Sequence, residues 1–391
     1  MQKVRLGEYI GQIRGVSYKP TDLHKSLNND SVILLRANNI NEGEINFDDV
    51  VYVDKSKVKK EQYLKQGDIL VCASSGSKEL VGKAAFIKKD IPVTFGAFCK
   101  LIRPTGCCAE YLGHYFNSQI YRKKISDLAL GANINNIRNE HIDELYLNFP
   151  NDLAQKRISE VLDKISLLID KRKKQLTKLD ELVKSRFVEM FGDPENNTLS
   201  WKEEKLSEHL TVIGGYAFKS EQFSEEGIPV LRIGNINSGF FKPVNLVYWE
   251  DDDALSRYKM YPDDLVISLT GTVGKDDYGN VCILGNDYDV YYLNQRNAKL
   301  ELQDTINKYY LSMLLKFGPV KKKLTGISRG VRQANISNKD ILNLSVPIPP
   351  IELQNQFAAF VKQTDKLKSS VQKSLESLET LKQAQMQKYF G

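Results

Sequence analysis

Polar side chains at the ends of two apolar runs are the first residues in this sequence whose types suggest chemistry. Arg36 and Asn38 follow one run, and Arg232 and Asn235 follow a similar run about 200 residues later. Arg matches guanine and Asn matches adenine in bidentate geometry, so these residues could read base edges in DNA. They could equally be structural polar groups at the end of a strand, and the sequence leaves both interpretations open.

Two hydroxyl-rich loops combine flexible glycines with donors that suit contact with phosphates or bases. The candidates are Ser74, Ser75, Ser77 and Lys83 in the first loop, and Thr270, Thr272 and Lys275 in the second. A tight turn would use the same residue types, so DNA contact and a purely structural role both remain open.

A second pair of glycine-containing loops carries Arg, Asn and Gln. The candidates are Arg329, Arg332 and Gln333 in residues 326–333, and Asn133 and Arg138 in residues 131–138. Different donors on similar frames are expected if the two loops read different sequences. The nearby cluster Lys321, Lys322 and Lys323 is better suited to phosphates than to bases.

Motifs for nucleotide catalysis are missing from the sequence. Lys83 and Lys275 each follow a glycine, but Ser77 and Leu269 stand where a phosphate-binding loop needs its first glycine. Neither the glycine-rich cofactor loop nor the Asn-Pro-Pro-aromatic signature of a methyltransferase is present. Two adjacent carboxylates at 263–264 could hold a metal in a nuclease, but a polar turn before a buried strand is the alternative.

The amino-acid composition limits the classes of protein to which this chain can belong. The chain has 391 residues, of which 41% are hydrophobic, enough for two cores of ordinary size. Its five cysteines form no CxxC pair, which fits the reducing cytoplasm, and its four histidines lie at no ligand spacing from one another, which argues against a metal site. No apolar stretch approaches the roughly 18 residues of a membrane span. A net charge of +6 leans mildly toward polyanionic partners.

The order of features along the chain occurs twice. Residues 4–19 return as 204–219, residues 35–40 as 231–236, Asn133-Ile134 as Asn335-Ile336, and Phe149-Pro150 as Ile348-Pro349. Short apolar runs typical of strands come first, then a helical stretch at 108–128 or 308–324. A repeat of about 200 residues is longer than any solenoid unit, so it predicts two whole domains of one design.

Each half ends in a long tract with a heptad pattern, which predicts two helices paired as an antiparallel coiled coil. In the first tract Asp152 and Gln155 suggest a capping box at the start, and Gly192 with Pro194 ends the helix. The first tract's seam residues are Ile158, Leu162, Ile165, Ile169, Leu176, Leu179 and Val183. The second tract's are Phe357, Phe360, Leu367, Val371, Leu378 and Leu381.

This duplicated arrangement resembles the specificity subunit of type I restriction-modification systems. The matching segments of the first half are Gly67-Asp-Ile-Leu70, Ser74-Ser-Gly-Ser77 with Gly82-Lys83, Asn133-Ile134, and Phe149-Pro150 with Gln155-Lys-Arg-Ile158. Those of the second half are Asp264-Leu-Val266, Thr270-Gly-Thr-Val-Gly-Lys275, Asn335-Ile336, and Pro347-Ile-Pro-Pro350 with Gln354. Asp263 in place of Gly67 is one departure, and Asn355-Gln356-Phe357 in place of Lys156-Arg157-Ile158 is another.

The resemblance implies an α+β fold in which two similar strand-rich target-recognition domains are joined by two long helices. These segments are residues 1–150 and 195–349 for the domains, and 151–194 and 350–391 for the helices. It further implies a non-catalytic subunit that binds double-stranded DNA at a split target and docks two methyltransferase subunits, with two restriction subunits as a further partner class. S-adenosylmethionine, ATP and magnesium are then expected on partner subunits and not on this chain.

Two other functions remain open at this point. One is a self-contained DNA-modifying enzyme, and the other is a coiled-coil scaffold without sequence-specific DNA binding. The recognised bases cannot be deduced, because readout depends on side-chain placement and DNA shape.

Overall fold

The computed structural model describes residues 2–77, 79–128, 135–237, 239–275, 277–326 and 333–391, without the side chains of Gln2, Asn135 and Gln333. The chain forms two compact units. Unit 1 comprises Met1–Lys173 and Lys373–Gly391, and unit 2 comprises Lys174–Gln372. The division falls inside the two long helices, so each unit contains a part of both.

Unit 1 is built mainly from short strands. Its strands are β1 (Gln2–Arg5), β2 (Ile10–Arg14), β3 (Leu23–His24), β4 (Ser31–Leu35), β5 (Ile40–Asn41), β6 (Glu44–Ile45), β7 (Val51–Asp54), β8 (Ile69–Cys72), β9 (Ser74–Ser75), β10 (Ala84–Phe86), β11 (Thr94–Phe95), β12 (Cys99–Pro104), β13 (Asn135–Asn136) and β14 (Tyr146–Phe149). Its helices are α1 (Ala109–Phe116), α2 (Gln119–Leu128), α3 (Asn139–Asp143) and the start of α4 (Asp152–Phe191).

Two four-stranded sheets form the body of unit 1, in the orders β10-β8-β12-β2 and β11-β4-β7-β3. Strand β8 shows why an unbroken apolar run lies at the centre. Successive side chains of a strand point to opposite faces, so Ile69 and Val71 join the core that contains α1 and α2, while Leu70 and Cys72 join a second core. The continuous hydrophobic pattern is therefore that of a strand buried on both faces.

Unit 2 repeats this plan. Its strands are β15 (Glu203–Lys205), β16 (Leu210–Gly214), β17 (Ile228–Leu231), β18 (Tyr248–Trp249), β19 (Lys259–Met260), β20 (Leu265–Ser268), β21 (Thr270–Thr272), β22 (Val281–Ile283), β23 (Tyr291–Leu293), β24 (Asn297–Leu302), β25 (Gln333–Asn335) and β26 (Ser345–Pro347). Its helices are α5 (Ile233–Ile236), α6 (Lys308–Lys316), α7 (Gly318–Thr325), α8 (Asn338–Leu342) and part of α9 (Ile351–Phe390).

The first sheets of the two units match strand for strand, since unit 2 has the order β22-β20-β24-β16. The second sheets share three strands, β11-β4-β7 and β23-β17-β18, but the fourth strand differs: β3 pairs with β7, whereas β19 pairs with β23. Strand β20 is again buried on both faces, because Leu265 and Ile267 belong to one core and Val266 to another. In each unit the second sheet contains one parallel pair, β4 with β11 and β17 with β23. The predicted duplication of whole domains is therefore confirmed by the strand order of the whole first sheet and of three strands of the second.

The helical stretches at 108–128 and 308–324 were each predicted as a single helix, and each is two helices. The break after α1 includes Ser118, whose Oγ accepts a hydrogen bond from the Tyr121 N–H at 3.1 Å and caps α2. The break after α6 precedes Pro319 in the first turn of α7, where proline needs no hydrogen-bond donor.

The long helix α4 begins one residue after and ends three residues before the limits of the predicted helical segment 151–194. It stops at Phe191 because Gly192 adopts a left-handed backbone with φ of +78°, which favours glycine. The predicted capping box at Asp152 is wrong. Asn151 Oδ1 accepts the hydrogen bond from the Ala154 N–H at 3.0 Å, and Gln155 makes other contacts.

Helices α4 and α9 pack together within each unit, as predicted. In unit 1, Ile158 and Leu162 of α4 share a core with Met386 and Phe390 near the end of α9. In unit 2, aromatic rings near the end of α4 pack on Phe357 near the start of α9, and the Phe187 and Phe357 centroids lie 5.4 Å apart. The start of one helix thus meets the end of the other, which is the antiparallel arrangement.

Most predicted seam residues are buried or half-buried, but Leu367 and Leu381 are exposed and were wrongly assigned. The adjacent residues Lys368 and Lys382 are only partly exposed, at the heptad positions that continue from buried Leu375. Lysine can cover apolar surface with its stem while its ammonium group reaches a polar partner. Lys368 Nζ does so with Asp180 Oδ1 at 2.6 Å, and an apolar-only pattern therefore selected the leucine next to it.

Within the described part of the chain, no helix is both long enough and apolar enough to cross a membrane.

Candidate nucleic-acid interface

Two short antiparallel ribbons bring together loops that lie far apart in the sequence. In unit 1, β9 pairs with β13, so that Ser74 faces Asn136 and Ser75 faces Asn135. In unit 2, β21 pairs with β25, and Thr270 faces Asn335 while Thr272 faces Gln333. The hydroxyl-rich loops and the Asn- and Arg-containing loops predicted as DNA contacts therefore meet at one site in each unit.

The ribbons correct one predicted equivalence between the two halves. Asn136, not Asn133, is the counterpart of Asn335, because each faces the first residue of the partner strand. The next residue confirms this: Ile137 N donates to Ala73 O, and Ile336 N donates to Leu269 O, both at 2.8 Å. The dipeptide Asn-Ile occurs at 133–134 and again at 136–137, and Ile137 is buried. Residues 133 and 134 lie outside the described part of the chain.

The hydroxyl-rich loops leave several donors accessible. Ser74 and Ser75 are half-buried, Ser77 is exposed, and the Ser77 N–H donates to Ser75 Oγ at 3.1 Å. Lys83 is half-buried and lines an open cleft beside α2.

In the equivalent loop of unit 2, Thr272 and Lys275 are exposed. The Thr272 N–H donates to Asp277 Oδ1 at 2.8 Å, and this bond lowers the pKa of the Asp277 carboxyl below its ordinary value. Thr270 differs, because its Oγ1 is buried and has no hydrogen-bond partner among the described residues. A buried hydroxyl without a partner is uncommon in a folded protein, and it lies at the first position of the ribbon.

Arg36 and Asn38 lie together on the surface and share one partner. Arg36 Nη2 and Asn38 Nδ2 each donate to Asp49 Oδ2 at 2.8 Å. The Asp49 side chain is largely exposed, so this ion pair contributes little to stability and its members can exchange partners. Both residues therefore stay candidates for DNA contact.

Asn235 is not accessible to DNA, and its predicted pairing with Asn38 is wrong. Its side chain is only 2% exposed, and its Oδ1 accepts from the Arg232 N–H at 2.9 Å. Its Nδ2 donates to the carbonyl groups of Lys242 and Val244. The structural counterpart is Asn39, which is equally buried and accepts from the Arg36 N–H at 2.7 Å. Both asparagines anchor a loop, and the repeat of residues 35–40 as 231–236 already aligns Asn39, not Asn38, with Asn235.

Some of the remaining loop candidates lie within the described residues, and others lie outside them. Arg138 is exposed at the N-terminus of α3, and Arg232 is bonded to the Asn245 carbonyl through Nη2. Asn133, Arg329 and Arg332 lie outside the described residues. Gln333 belongs to β25 by its backbone, but its side chain is not described. The DNA-contact assignments of these loops stay predictions.

Two lysines near the ribbons are buried and make structural hydrogen bonds. The sequence analysis did not single out Lys100, and it assigned Lys321 to phosphate contact. Lys100 of β12 is only 6% exposed, and its Nζ donates to Asn139 Oδ1 at 2.7 Å and to the Ile137 carbonyl. Burial lowers the pKa of Lys100 to about 8. Lys321 is also buried, and its Nζ donates to Asn280 Oδ1 at 2.6 Å, so it does not belong to an exposed phosphate-binding cluster. A long side chain next to exposed lysines gives no sequence signal of such burial.

Comparison with known proteins agrees with this architecture. Residues 1–181 and 199–380 both match the model of the type I restriction modification DNA specificity domain. The chain is 29% identical to the specificity subunit of the type I restriction enzyme EcoKI from Escherichia coli K12, over 97% of this chain and 86% of that one. It is 28% identical to the StySPI specificity subunit from Salmonella potsdam, over the same shares.

Among solved structures, the type I restriction-modification S subunit from M. genitalium has the same fold. The TM-score is 0.60 at 16% sequence identity, and the match covers 100% of this chain and 96% of that chain.

Two copies of one domain model on one chain agree with the sequence repeat and with the repeated strand order. These findings do not favour either a self-contained DNA-modifying enzyme or a scaffold without sequence-specific DNA binding. The chain belongs to the type I restriction-modification DNA specificity family and is a non-catalytic specificity subunit with two target-recognition domains.

Proposed function

We propose that this subunit recognises a bipartite double-stranded DNA target, in which residues 1–150 read one short block and residues 195–349 read the other. The duplicated ribbon is the observation that carries this proposal. The pairs β9–β13 and β21–β25 share one backbone frame, but Ser74 and Ser75 in the first correspond to Thr270 and Gly271 in the second. Because base readout depends on the donors, acceptors and methyl groups presented, similar frames with different side chains support two different blocks.

The outer face of α4 supports docking of methyltransferase subunits. In unit 1 its exposed apolar residues are Leu153, Val161, Leu167 and Leu168. At about 3.6 residues per turn these side chains form one stripe, on the side of the helix away from buried Leu162. In unit 2, Leu182 and Val188 of the same helix are exposed as well. Exposed apolar positions in both units support two methyltransferase subunits, one for each unit, and two restriction subunits would complete the complex.

Cofactors belong to the partner subunits in this proposal. The sequence has neither a phosphate-binding loop nor a methyltransferase cofactor loop, so S-adenosylmethionine, ATP and magnesium are assigned to the methyltransferase and restriction subunits. This chain contributes DNA specificity and docking, and the complex acts on DNA in the cytoplasm.

A domain exchange tests the bipartite target. Residues 1–150 are replaced by the equivalent domain of a relative with a different target, and methylated adenines are mapped in cells that express the complex. The expected result is a change in one block of the target, with the other block unchanged. A second exchange, of residues 195–349, should change only the other block.

Two results would contradict the proposal. A change in both blocks after one exchange would mean that the domains do not read independently, and a continuous target would mean that there are not two blocks. If an exchanged chain gives no methylation, its co-purification with the methyltransferase subunits shows whether the complex still assembles.

A further inference from the structure

The turn that leads into β12 in unit 1 has a structural counterpart before β24 in unit 2. The Ala97 N–H donates to the Val16 carbonyl at 3.0 Å, and the Gln295 N–H donates to the Tyr216 carbonyl at 2.9 Å. The next bonds also correspond, since Cys99 N donates to Gly96 O and Asn297 N donates to Asn294 O. Phe98 and Arg296 therefore occupy the same position of the same turn.

Each turn is held against the protein by a glycine that admits no side chain. A Cβ on Gly15 would lie 2.1 Å from the Gly96 carbonyl oxygen, and a Cβ on Gly215 would lie 2.1 Å from the Asn294 carbonyl oxygen. Such distances are far inside van der Waals contact. The close approach of the two backbone segments makes the turn a rigid base for the side chain that follows.

Backbone hydrogen bonds attach both turns to the start of the ribbons. The Phe98 carbonyl accepts from the Ala73 N–H at 2.9 Å and from the Ser74 N–H at 3.0 Å. The Arg296 carbonyl accepts from the Leu269 N–H at 2.8 Å, and Leu269 directly precedes β21. Positions 98 and 296 therefore lie beside the two ribbons proposed to contact DNA.

Both side chains are free to contact a ligand. Phe98 is 68% exposed, the highest value for a large hydrophobic side chain in the described part of the chain. Arg296 is exposed, and the structure describes neither a hydrogen bond nor an ion pair to its guanidinium group. The guanidinium groups of Arg36 and Arg103, in contrast, are bound to carboxylates.

We propose that positions 98 and 296 are specificity-determining positions of the two domains, with Phe98 contacting a thymine methyl group and Arg296 contacting guanine O6 and N7. The assignment rests on the proposed function. A phenyl ring has no hydrogen bond to offer a phosphate, so DNA contact at Phe98 must be apolar, and the thymine methyl group is the apolar feature of the major groove. A guanidinium fork matches the two acceptors of guanine. The same backbone turn thus presents a different side chain in each unit, and each side chain selects a different base.

Base analogues test the assignment atom by atom. With the full chain assembled with its methyltransferase subunits, each thymine of the block read by residues 1–150 is replaced in turn by uracil, which lacks only the methyl group. One replacement should weaken binding by about 4-fold, the value of one buried methyl group. The Phe98→Ala complex should bind the thymine and uracil duplexes equally well at that position.

For Arg296 the analogue is 7-deazaguanine, which lacks the N7 acceptor and keeps base pairing. One replacement in the block read by residues 195–349 should weaken binding by the unaltered complex about 5-fold or more, within the range for loss of a bidentate contact. The Arg296→Ala complex should be insensitive to it. Tyr146→Ala and Arg257→Ala are the controls, since both residues are exposed and lie outside the ribbons and turns, and they should keep the sensitivity of the unaltered chain.

The analogue series on the unaltered chain gives a decision even if a variant fails to fold. If no uracil replacement in the first block changes binding, Phe98 does not read a thymine methyl group. If no 7-deazaguanine replacement in the second block changes binding, Arg296 does not read guanine. The role of Phe98 would also be overturned if Phe98→Ala weakened binding to the thymine and uracil duplexes by the same factor, so that the variant complex still preferred thymine. If the unaltered complex has no sequence preference at all, the proposed function itself fails.

Discussion

Gln155 and Gln354 make the same pair of hydrogen bonds at the start of the two long helices. Gln155 Oε1 accepts from the Cys108 N–H at 3.0 Å, and its Nε2 donates to the Pro150 carbonyl at 2.8 Å. Gln354 Oε1 accepts from the Asn307 N–H at 2.8 Å, and its Nε2 donates to the Pro349 carbonyl at 2.7 Å. Each glutamine is fully buried and joins the helix, its proline-containing entry and the residue before α1 or α6.

Replacing either glutamine by methionine should destabilise its unit. Methionine preserves the volume but leaves one backbone N–H and one carbonyl without partners, and each unpaired buried group costs about 1 to 3 kcal/mol. We expect Gln155→Met and Gln354→Met each to lower the free energy of unfolding by about 2 to 6 kcal/mol in urea titrations. Gln356→Met, at an exposed position of α9, is the matched control and should change the free energy little. An equally small change for Gln155→Met would mean that water replaces these bonds.

Sequence reasoning was most reliable where apolar periodicity alone determines the structure. The two buried strands β8 and β20 and the limits of α4 follow from unbroken apolar runs, heptads and Gly192. Even the departure at Asp263 keeps the backbone of Gly67, since both have positive φ, of +78° and +87°. Aspartate tolerates this left-handed conformation better than most residues, which explains how the turn survives the substitution.

Two of the errors share a cause, because the decisive contact is polar and is made with another segment of the chain. Lys368 holds a seam position through Asp180, and Asn235 is buried because two carbonyl groups of the next loop need donors. Neither partner can be identified from one sequence. The turns at Phe98 and Arg296 were missed for a similar reason, since only the fold brings them beside the ribbons.

The two neighbouring asparagines of unit 1 separate loop anchoring from DNA contact. Asn39→Ala removes an acceptor for the Arg36 N–H and donors for two carbonyl groups, so we expect the free energy of unfolding to fall by about 2 kcal/mol or more. Asn38→Ala loses one bond on the surface and should leave the free energy of unfolding within about 0.5 kcal/mol of the unaltered chain. Thermal or urea melts measure both. Similar losses for the two variants would show that Asn38 is structural as well.

Adjacent lysines of α7 provide a similar contrast in unit 2. Lys322 is exposed, whereas Lys321 is buried and bonded to Asn280. If Lys322 contacts a phosphate, Lys322→Ala should weaken binding to cognate and altered duplexes by the same factor and reduce the salt slope of log K by about one unit. Lys321→Ala should instead lower the free energy of unfolding. Binding titrations at several salt concentrations, together with urea melts, distinguish the two, and an unchanged salt slope for Lys322→Ala would exclude the phosphate contact.

Lys100 should give unit 1 a pH-dependent stability in the alkaline range. Its pKa is about 8 in the folded chain and returns toward its ordinary value of 10.5 on unfolding. Between these pH values the folded state binds fewer protons, so this lysine makes the free energy of unfolding rise as the pH increases. The contribution is complete above about pH 10.5 and is lost as the pH falls through about 8.

The variant Lys100→Met isolates this effect from the tyrosines that titrate at high pH. The difference in free energy of unfolding between the unaltered chain and the variant should grow from pH 7.5 to pH 9.5 in urea titrations, in favour of the unaltered chain. A difference that stays constant over this range would mean that the ammonium group is solvated and that its pKa is not lowered.

The length of the long helices should set the gap between the two blocks of the target. Helix α4 runs without interruption from Asp152 to Phe191, and α9 runs from Ile351 to Phe390. Inserting one heptad near Leu176 and a matching heptad near Val371 preserves the seam and adds about 10 Å of helix. Since one turn of DNA, about 10 base pairs, spans about 34 Å, the unspecified gap should lengthen by about three base pairs while both blocks stay the same.

Methylation mapping in cells measures the gap directly. Inserting the heptad in α4 alone is the control, because it shifts the apolar seam of one helix against the other and should reduce assembly instead of lengthening the gap. An active complex with both insertions and an unchanged gap would show that something other than helix length spaces the two recognition sites.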